Sequence, residues 1–377
     1  MSLHWLVLIS CYIPFFRSRN VGIPSNSAHR NIIFRYPNYS AIEIETPFQT
    51  PLDQLAQLTV ESEDSKERRD ESAPRVSVLM SCYNTRPYLP EAVNSILNQT
   101  FTDFEFIIVN DGSTDDSAQW LDAIDDPRVI VVHQENQGLG SPINQHMKRC
   151  RGEFIARADS DDFCCPERLE KQVALLDSSP ELIMIGCFME FFNEANELSS
   201  CHLPVKHEDI LNGMLRGLHT IAHATLMFRR SLLDKIDGYV WHGVGEDWGL
   251  QLDAAKHGKL GMVPEPLYRM RLRPTSTAWS GATNVYLGFD FAIKRYRQWE
   301  QGEKESTADE FRSDWQKAGL FRRLSIQLRA ISSTYHRSSM VDSLNGNNIR
   351  AYSKLFVSAL LFPQKLVGSV WKRFKSR

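Results

Sequence analysis

Residues 153–162 read Glu153-Phe154-Ile155-Ala156-Arg157-Ala158-Asp159-Ser160-Asp161-Asp162. Residues 153–158 predict a buried β-strand, which delivers an acidic loop at its end. Carboxylates one residue apart repel each other, and a hard divalent ion held by carboxylates and substrate phosphates relieves that repulsion. The alternative is a loop of helix-capping acids before Pro166. The acidic pattern alone does not separate the two interpretations.

Three further strands are predicted on the N-terminal side of this one. Apolar, β-branched runs predict strands at residues 76–80, 104–109 and 129–132, and helical spacing predicts helices at 89–99 and 139–150. A short helix is expected after the second strand, capped by Ser113 or Thr114, with Asp115 and Asp116 in its first turn. This alternation predicts an α/β fold: a single Rossmann-like domain with a mostly parallel central sheet and helices on both faces.

Polar residues follow three of these strands at the point where each ends, at 81–84, 110–113 and 159–162. In sheets of this kind, ligands bind beyond the carboxyl ends of the strands. Asp111 can accept the imide or amino hydrogen of a nucleobase there, and Gly112 lets the backbone approach closely. Taken singly, Asp111 is more commonly an ordinary turn aspartate.

A second acidic pair, Glu246-Asp247, precedes an apolar pattern that predicts a helix as far as Ala255. Carboxylates at a helix start are explained as caps. The alternative is a general base that takes a proton from an acceptor hydroxyl. On the residues alone, the cap interpretation leads.

Composition excludes some classes of function. The chain has 377 residues and a formal net charge of −3, without the broad basic face that a nucleic-acid partner requires. Its seven cysteines follow neither a disulfide framework nor a zinc spacing. They therefore predict reduced, mostly buried thiols and a cytoplasmic location.

The two ends differ from the centre. Residues 1–73 combine an apolar segment, 3–16, with a flexible linker that ends in a charged run; a signal peptide, a short anchor and a mis-assigned start codon all fit the apolar segment. Residues 281–377 are rich in helix formers and end in a basic amphipathic tail. Such a tail either lies on the anionic cytoplasmic face of a membrane or packs on its own domain.

In order along the chain, residues 75–276 resemble the family-two glycosyltransferases, which have the A-type nucleotide-diphospho-sugar transferase (GT-A) fold. The resemblance rests on short pieces in the family's order, each common alone and specific as a set: Val76–Asn84, Val109–Asp115, Asn136–Leu139, Gly152–Asp162, Pro166–Gln172, His223–Thr225, Glu246–Trp248 and Leu267–Arg271. It implies a GT-A domain over 74–280, with a nucleotide-sugar half at 74–187 and an acceptor half at 188–280.

The resemblance also implies roles for single residues. Asp111 and the region of Tyr83 would contact the nucleobase, and Asp159 the ribose or the metal. Asp161 would bind Mn²⁺ or Mg²⁺, and Asp247 would be the catalytic base of an inverting transfer. The remaining candidates are, on the donor side, Ser81, Asn84, Gly112 and Ser160, and on the acceptor side, Glu246 and Trp248.

The chain departs from the family pattern at three places. The arginine that often follows Gly-Leu is missing at 140–144, and His-Pro-Thr is replaced by His223-Ala224-Thr225. Arg273 stands where many members have a histidine; an arginine cannot bind a metal but can pair with a diphosphate. The metal site then depends more on Asp161, and His223 is expected to be a hydrogen-bonded residue near the acceptor rather than a ligand.

These observations predict an inverting glycosyltransferase that uses a nucleotide-diphospho-sugar, with a UDP-sugar favoured over GDP- and dTDP-sugars. The acceptor would be a saccharide or a lipid-linked hydroxyl, and the tail would make a peripheral membrane contact. One alternative is a sugar-phosphate nucleotidyltransferase, against which the glycine-free loop 81–86 argues. The other is a non-catalytic nucleotide-sugar-binding module, against which Asp111, Asp161 and Asp247 argue together.

Overall fold

The structure is a computed structural model that describes residues 73–362 apart from 139–140, 194–196, 199–202, 242–244 and 273–281. The strands are β1 Val76–Cys82, β2 Phe104–Asp111, β3 Val129–Gln134, β4 Phe154–Asp159, β5 Phe163–Cys164, β6 Leu182–Phe192, β7 Glu197–Leu198, β8 Met227–Arg229 and β9 Lys259–Arg271. The helices are α1 Leu89–Leu97, α2 Ser117–Asp122, α3 Ser141–Met147, α4 Arg168–Ser178, α5 His207–Leu215, α6 Glu246–Ala255, α7 Ala282–Glu300, α8 Ala308–Gln316, α9 Leu320–Leu344 and α10 Asn348–Leu361. The predictions on residues 1–72, on Arg273 and on the tail after 362 lie outside the described residues.

One sheet contains all nine of these strands, in the order β3-β2-β1-β4-β8-β6-β9-β5, with β7 paired to β6. The first four strands are parallel, and Ser81 of β1 is level with Val109 of β2 and with Asp159 of β4. Because parallel strands in register end at the same edge, the predicted polar loops meet there.

The other half of the sheet is mixed. Strands β6 and β9 are parallel over ten residue pairs, whereas the antiparallel pairings of β4 with β8, β6 with β8, β6 with β7 and β5 with β9 are two or three pairs long. The predicted mostly parallel sheet is thus confirmed. Strand β9 runs 13 residues and ends at Arg271, beside the acidic loop.

Both faces of the sheet are covered. Along β1, Val76, Val78 and Met80 belong to one core with the buried side of α1, while Leu79 belongs to the other core with Ile143 and Met147 of α3. This alternation is the period-two pattern of a strand buried on both faces, and it confirms helices on both sides.

The prediction for the start of α2 was wrong. The helix begins at Ser117, with Asp116 at the N-cap position, rather than after Ser113 or Thr114. The side chain of Asn84 accepts hydrogen bonds from the backbone N–H groups of Thr114 and Asp115, at 2.7 and 3.3 Å. These bonds from Asn84, about 30 positions earlier in the loop after β1, hold Thr114 and Asp115 in the loop before the helix.

Among the described residues after β9 there are four helices, α7 to α10, which confirm the predicted helical C-terminal region. Helix α7 crosses the start of α6 closely: the Cβ of any residue replacing Gly245 would lie 2.8 Å from the carbonyl oxygen of Val285, and that of any residue replacing Gly288 would lie 2.9 Å from the carbonyl oxygen of Gly245. Within the described residues, no helix is both long and apolar enough to span a bilayer. The five described cysteines are free thiols, and four are buried.

Candidate active site

Strand β9 holds the acidic loop that follows β4. The backbone N–H of Asp159 donates to the hydroxyl of Tyr268 at 3.1 Å, and the backbone N–H of Arg271 donates to the buried carboxylate of Asp162 at 2.8 Å. The Arg271 guanidinium also donates to the carbonyl oxygen of Asp161 at 3.0 Å. The loop is therefore fixed by its backbone and by Asp162, while the carboxylates of Asp159 and Asp161 are half-buried.

These acidic groups fit a divalent cation that a substrate helps to hold. Burial, together with the charges of Asp161 and Asp159, raises the pKa of Asp162 well above its ordinary value, so a further negative charge in this loop is unfavourable without a cation. In the part of the chain that the structure describes, no three histidine, cysteine or acidic side chains cluster closely enough to bind a metal by themselves. Magnesium-like ions are commonly bound by one or two protein carboxylates, with substrate phosphates as the other ligands.

Arg157, which the sequence analysis did not single out, brings a positive charge to the acidic loop. It lies within β4 and is nearly buried, and its guanidinium pairs with Asp159 at 2.8 Å. It also donates to the carbonyl oxygen of Leu79 on β1 at 3.4 Å. The available signal was an arginine inside an otherwise apolar strand, two residues before the first acid.

The loops after β1 and β2 form one connected unit. Asp111 is 3% exposed, and its carboxylate accepts from the Gln134 side chain at 2.7 Å and from the backbone N–H groups of Gln137 and Gly138 at 3.0 and 3.2 Å. Gly112 has a φ of 69°, and a Cβ there would lie 2.7 Å from the Asn136 nitrogen. The glycine thus allows two backbone segments of the protein to meet.

The other donor-side candidates divide into exposed and internal groups. Tyr83 is 48% exposed at this edge. The backbone of Asn84 is left-handed, with a φ of 52°, and its side chain holds residues 114–115 as described above. Ser160 is buried and accepts from the Thr85 hydroxyl at 3.1 Å, which joins the acidic loop to β1's loop. Ser81 lies level with Asp159 in the sheet.

Glu246 and Asp247 occupy the first turn of α6, after Gly245 with its φ of 96°. Burial raises the pKa of Asp247 to about 6, helped by the charge of Asp159, while its own and the Trp248 backbone N–H groups oppose the rise. Burial and the charge of Asp247 raise the pKa of Glu246 to about 8. Asp159 contributes to both shifts, so the structure brings the start of α6 to the acidic loop.

His223 lies beside this group as a neutral, hydrogen-bonded side chain. Its Nε2 is 2.6 Å from the Tyr239 hydroxyl, and burial, with the nearby Arg157, lowers its pKa to about 3. Trp248 is 1% exposed and stacks on Phe289 with ring centroids 3.7 Å apart. Trp248 therefore packs against Phe289 of α7 and so fixes the start of α6.

Helix α9 reaches the site from the C-terminal region. Arg337 is close enough to Asp247 that its positive charge lowers the pKa of that carboxyl, and Asp247 in turn acts on the pKa of Arg337. No sequence signal marked Arg337, because it lies 90 positions after its partner in a helix without a family motif.

Comparisons with known proteins agree with this geometry. The model of glycosyl transferase family 2 matches residues 77–237. The chain is 31% identical over 203 residues to the amylovoran biosynthesis glycosyltransferase AmsE of Erwinia amylovora, an alignment that covers 52% of this chain and 75% of that protein. It is 34% identical over 180 residues to the O-antigen biosynthesis glycosyltransferase WbnJ of Escherichia coli, covering 47% of this chain and 70% of the relative.

Among solved structures, S. aureus TarS 1–349 in complex with UDP-GlcNAc superimposes with a TM-score of 0.50 at 18% identity, covering 77% of this chain and 92% of that chain. This likeness concerns the fold and supports the GT-A architecture. Because AmsE and WbnJ are aligned with this chain over 75% and 70% of their own length, and the family model includes β4 and the acidic loop after it, this chain is a glycosyltransferase that belongs to family 2.

Proposed function

We propose that this enzyme transfers a sugar from a nucleotide-diphospho-sugar to a hydroxyl acceptor, with inversion at the anomeric carbon. The observation that carries the proposal is the meeting of two acidic groups from distant parts of the chain: Asp159 raises the pKa of Asp247. A carboxylate with a pKa of about 6 is ionised at neutral pH and still basic enough to take a proton.

The donor would lie over the loops after β1, β2 and β4. A UDP-sugar is the favoured donor, with the base near the exposed ring of Tyr83. The buried Asp111 carboxylate would support the loop beneath the base through its bonds to Gln134 and to the backbone at 137–138, rather than contact the base as predicted. Two observations support this location: the polar loops share one sheet edge, and that edge is where ligands bind in such sheets. Arg157 adds positive charge beneath the diphosphate.

Asp161, helped by Asp159, would hold the Mn²⁺ or Mg²⁺ that accompanies the diphosphate. The half-buried position of Asp161 in the loop that follows β4, one residue after Ser160, supports it as the principal ligand. When bound, such an ion neutralises charge on the leaving diphosphate.

The proposed transfer is a single displacement in which Asp247 acts on the acceptor. The Asp247 carboxylate takes the proton of the acceptor hydroxyl as the acceptor oxygen bonds to the anomeric carbon. The bond from that carbon to the diphosphate oxygen breaks, and its electron pair leaves with the nucleoside diphosphate. Glu246, with a pKa of about 8, is mostly protonated at neutral pH and so leaves Asp247 as the base.

The acceptor is proposed to be a saccharide or a lipid-linked hydroxyl in the synthesis of a cell-surface polysaccharide. The support is the naming of AmsE for amylovoran biosynthesis and of WbnJ for O-antigen biosynthesis. Membership of a glycosyltransferase family also favours sugar transfer over the nucleotidyltransferase and binding-module alternatives.

The decisive variant is Asp247→Asn, which keeps the shape of the side chain and removes its basicity. Transfer should fall at least about a thousandfold, at the larger end of what a general base contributes, while UDP affinity in calorimetry stays within a factor of two of the parent, because the base does not touch the nucleotide. Asp234→Asn, an exposed carboxylate, is the matched control. Unchanged turnover in Asp247→Asn would remove Asp247 as the base.

A further inference from the structure

Helix α9 carries a row of apolar side chains on the side away from the core. Phe321, Leu324, Leu328, Ile331 and Tyr335 recur at intervals of three and four residues, which places them on one helix face. Phe321 is 88% exposed, Leu324 44%, Ile331 45% and Tyr335 38%. We call these five residues the outer stripe. A continuous apolar face left in water indicates an interaction surface.

Helix α10, which packs on α9, also carries exposed apolar side chains. The two helices are joined by the Ser332 hydroxyl, which donates to the Ser358 carbonyl oxygen at 2.9 Å. On α10, Tyr352, Phe356 and Leu360 are 43%, 43% and 63% exposed. At the start of α9, Leu320 is 75% exposed. The exposed apolar residues therefore belong to a helical pair and not to one isolated side chain.

Charge is segregated to the same part of the chain. Between positions 315 and 362 the sequence has seven basic residues and one acidic residue, Asp342, whereas residues 1–314 have 31 basic and 45 acidic residues. Lys317 and Arg323, both exposed, lie next to the first residues of the outer stripe in the sequence, whereas the Arg322 guanidinium packs over the rings of Phe311 and Trp315. The helical pair thus presents apolar groups beside a strong positive charge on an acidic protein.

We propose that the outer stripe docks this enzyme on an anionic lipid bilayer. Aromatic and aliphatic side chains would enter the headgroup boundary, and the flanking lysines and arginines would lie against acidic headgroups. The spacing of three and four residues also suits a second helix, but a second copy would bring two faces of the same positive sign together. Charge complementarity selects the bilayer.

The docked orientation would also set where the acceptor lies. Arg337 follows Tyr335 by two positions, so it lies on nearly the opposite side of α9, and there it acts on Asp247. The same helix then faces the bilayer on one side and the catalytic base on the other. This step rests on the proposed function, and it accommodates a lipid-linked acceptor.

The test is sedimentation of the full chain with phosphatidylcholine vesicles that contain or lack phosphatidylglycerol. The parent should bind only the anionic vesicles. Phe321→Ser combined with Leu324→Ser should weaken binding at least about tenfold, from the lost apolar burial. Lys317→Gln combined with Arg323→Gln should weaken it about fivefold for each charge removed.

The control variants change exposed side chains elsewhere in the protein. Ile130→Ser with Val205→Ser removes two apolar groups that are each 41% exposed, and Lys206→Gln with Lys235→Gln removes two exposed charges. Both should bind vesicles like the parent. UDP affinity without vesicles, measured for every variant, separates a failure of docking from a failure of the donor site.

Three results would overturn docking through this surface. One is a parent that does not sediment with anionic vesicles, and another is a stripe variant that binds as tightly as the parent. The third is a parent dimer that the stripe variant converts to a monomer, which would identify a second copy as the occupant.

Discussion

At the scale of single residues, the site works by placing carboxylates in unlike surroundings. Asp247 is half-buried and has its pKa raised to about 6, whereas Glu246 next to it is 9% exposed and has its pKa raised to about 8. The two pKa values differ because burial acts on both groups, while the negative charge of Asp247 further raises the pKa of Glu246. Neighbouring acids are thereby separated into an ionised carboxylate, the proposed base, and a neutral acid at pH 7.

This separation predicts the pH dependence of transfer. A base must be unprotonated, so kcat/KM should rise about tenfold per pH unit below the pKa of Asp247 and level off above about pH 6. The measurement is initial rate against pH with a saturating divalent cation. A midpoint near 8 would instead assign the base to Glu246.

At the scale of elements, the start of α6 depends on a close crossing with α7. Gly245 has a φ of 96°, and a Cβ at this position would lie 2.8 Å from the carbonyl oxygen of Val285. Only glycine satisfies both conditions without moving a helix. The positions of Glu246 and Asp247 therefore depend on α7, which follows the family's matched region.

Gly245→Ala is expected to destabilise the fold by about 3 kcal/mol, from left-handed strain and overpacking together, and to lower kcat. Gly302→Ala is the matched control, because its φ is 68° and nothing lies within 4 Å of the added Cβ. It should cost about 1 kcal/mol, from strain alone. Chemical denaturation measures both values. Equal losses in the two variants would contradict the close crossing.

The elements were predictable because their signals are local. Buried β-branched runs predict β1 to β4, and helical spacing predicts α6, which ends at Ala255 as expected. The start of α2 was misjudged because Asn84 acts on it from another strand. Likewise Tyr268 and Arg271 meet the acidic loop from 109 positions away. Their roles depend on β9 reaching that loop, which spacing in the sequence does not reveal.

At the scale of the whole molecule, ligand binding should appear as added stability. UDP with Mn²⁺ is expected to raise the free energy of unfolding by about 2.7 kcal/mol at a hundredfold excess over Kd, and UDP alone by less. Asp161→Ala should lose the manganese-dependent part, because Asp161 is the proposed ligand. Thermal denaturation with and without the ion measures this.

The control for that experiment is Asp125→Ala, which removes an exposed loop carboxylate distant in sequence from the acidic loop. It should keep the full manganese response. A parent whose UDP binding is indifferent to manganese would contradict the role given to Asp161.

The dependence of α6 on α7 also bears on how such enzymes can be recombined. The family model ends at residue 237, ten positions before Asp247. A chimera joined at residue 237 would combine the donor-side loops of one parent with the proposed base of the other. A chimera joined between β9 and α7 would place Gly245 against an α7 helix from the other parent. The smallest unit that would carry a working site from one protein to another therefore runs from β1 through α9, because the crossing with α7 and the charge of Arg337 on α9 both act on Asp247, the proposed base.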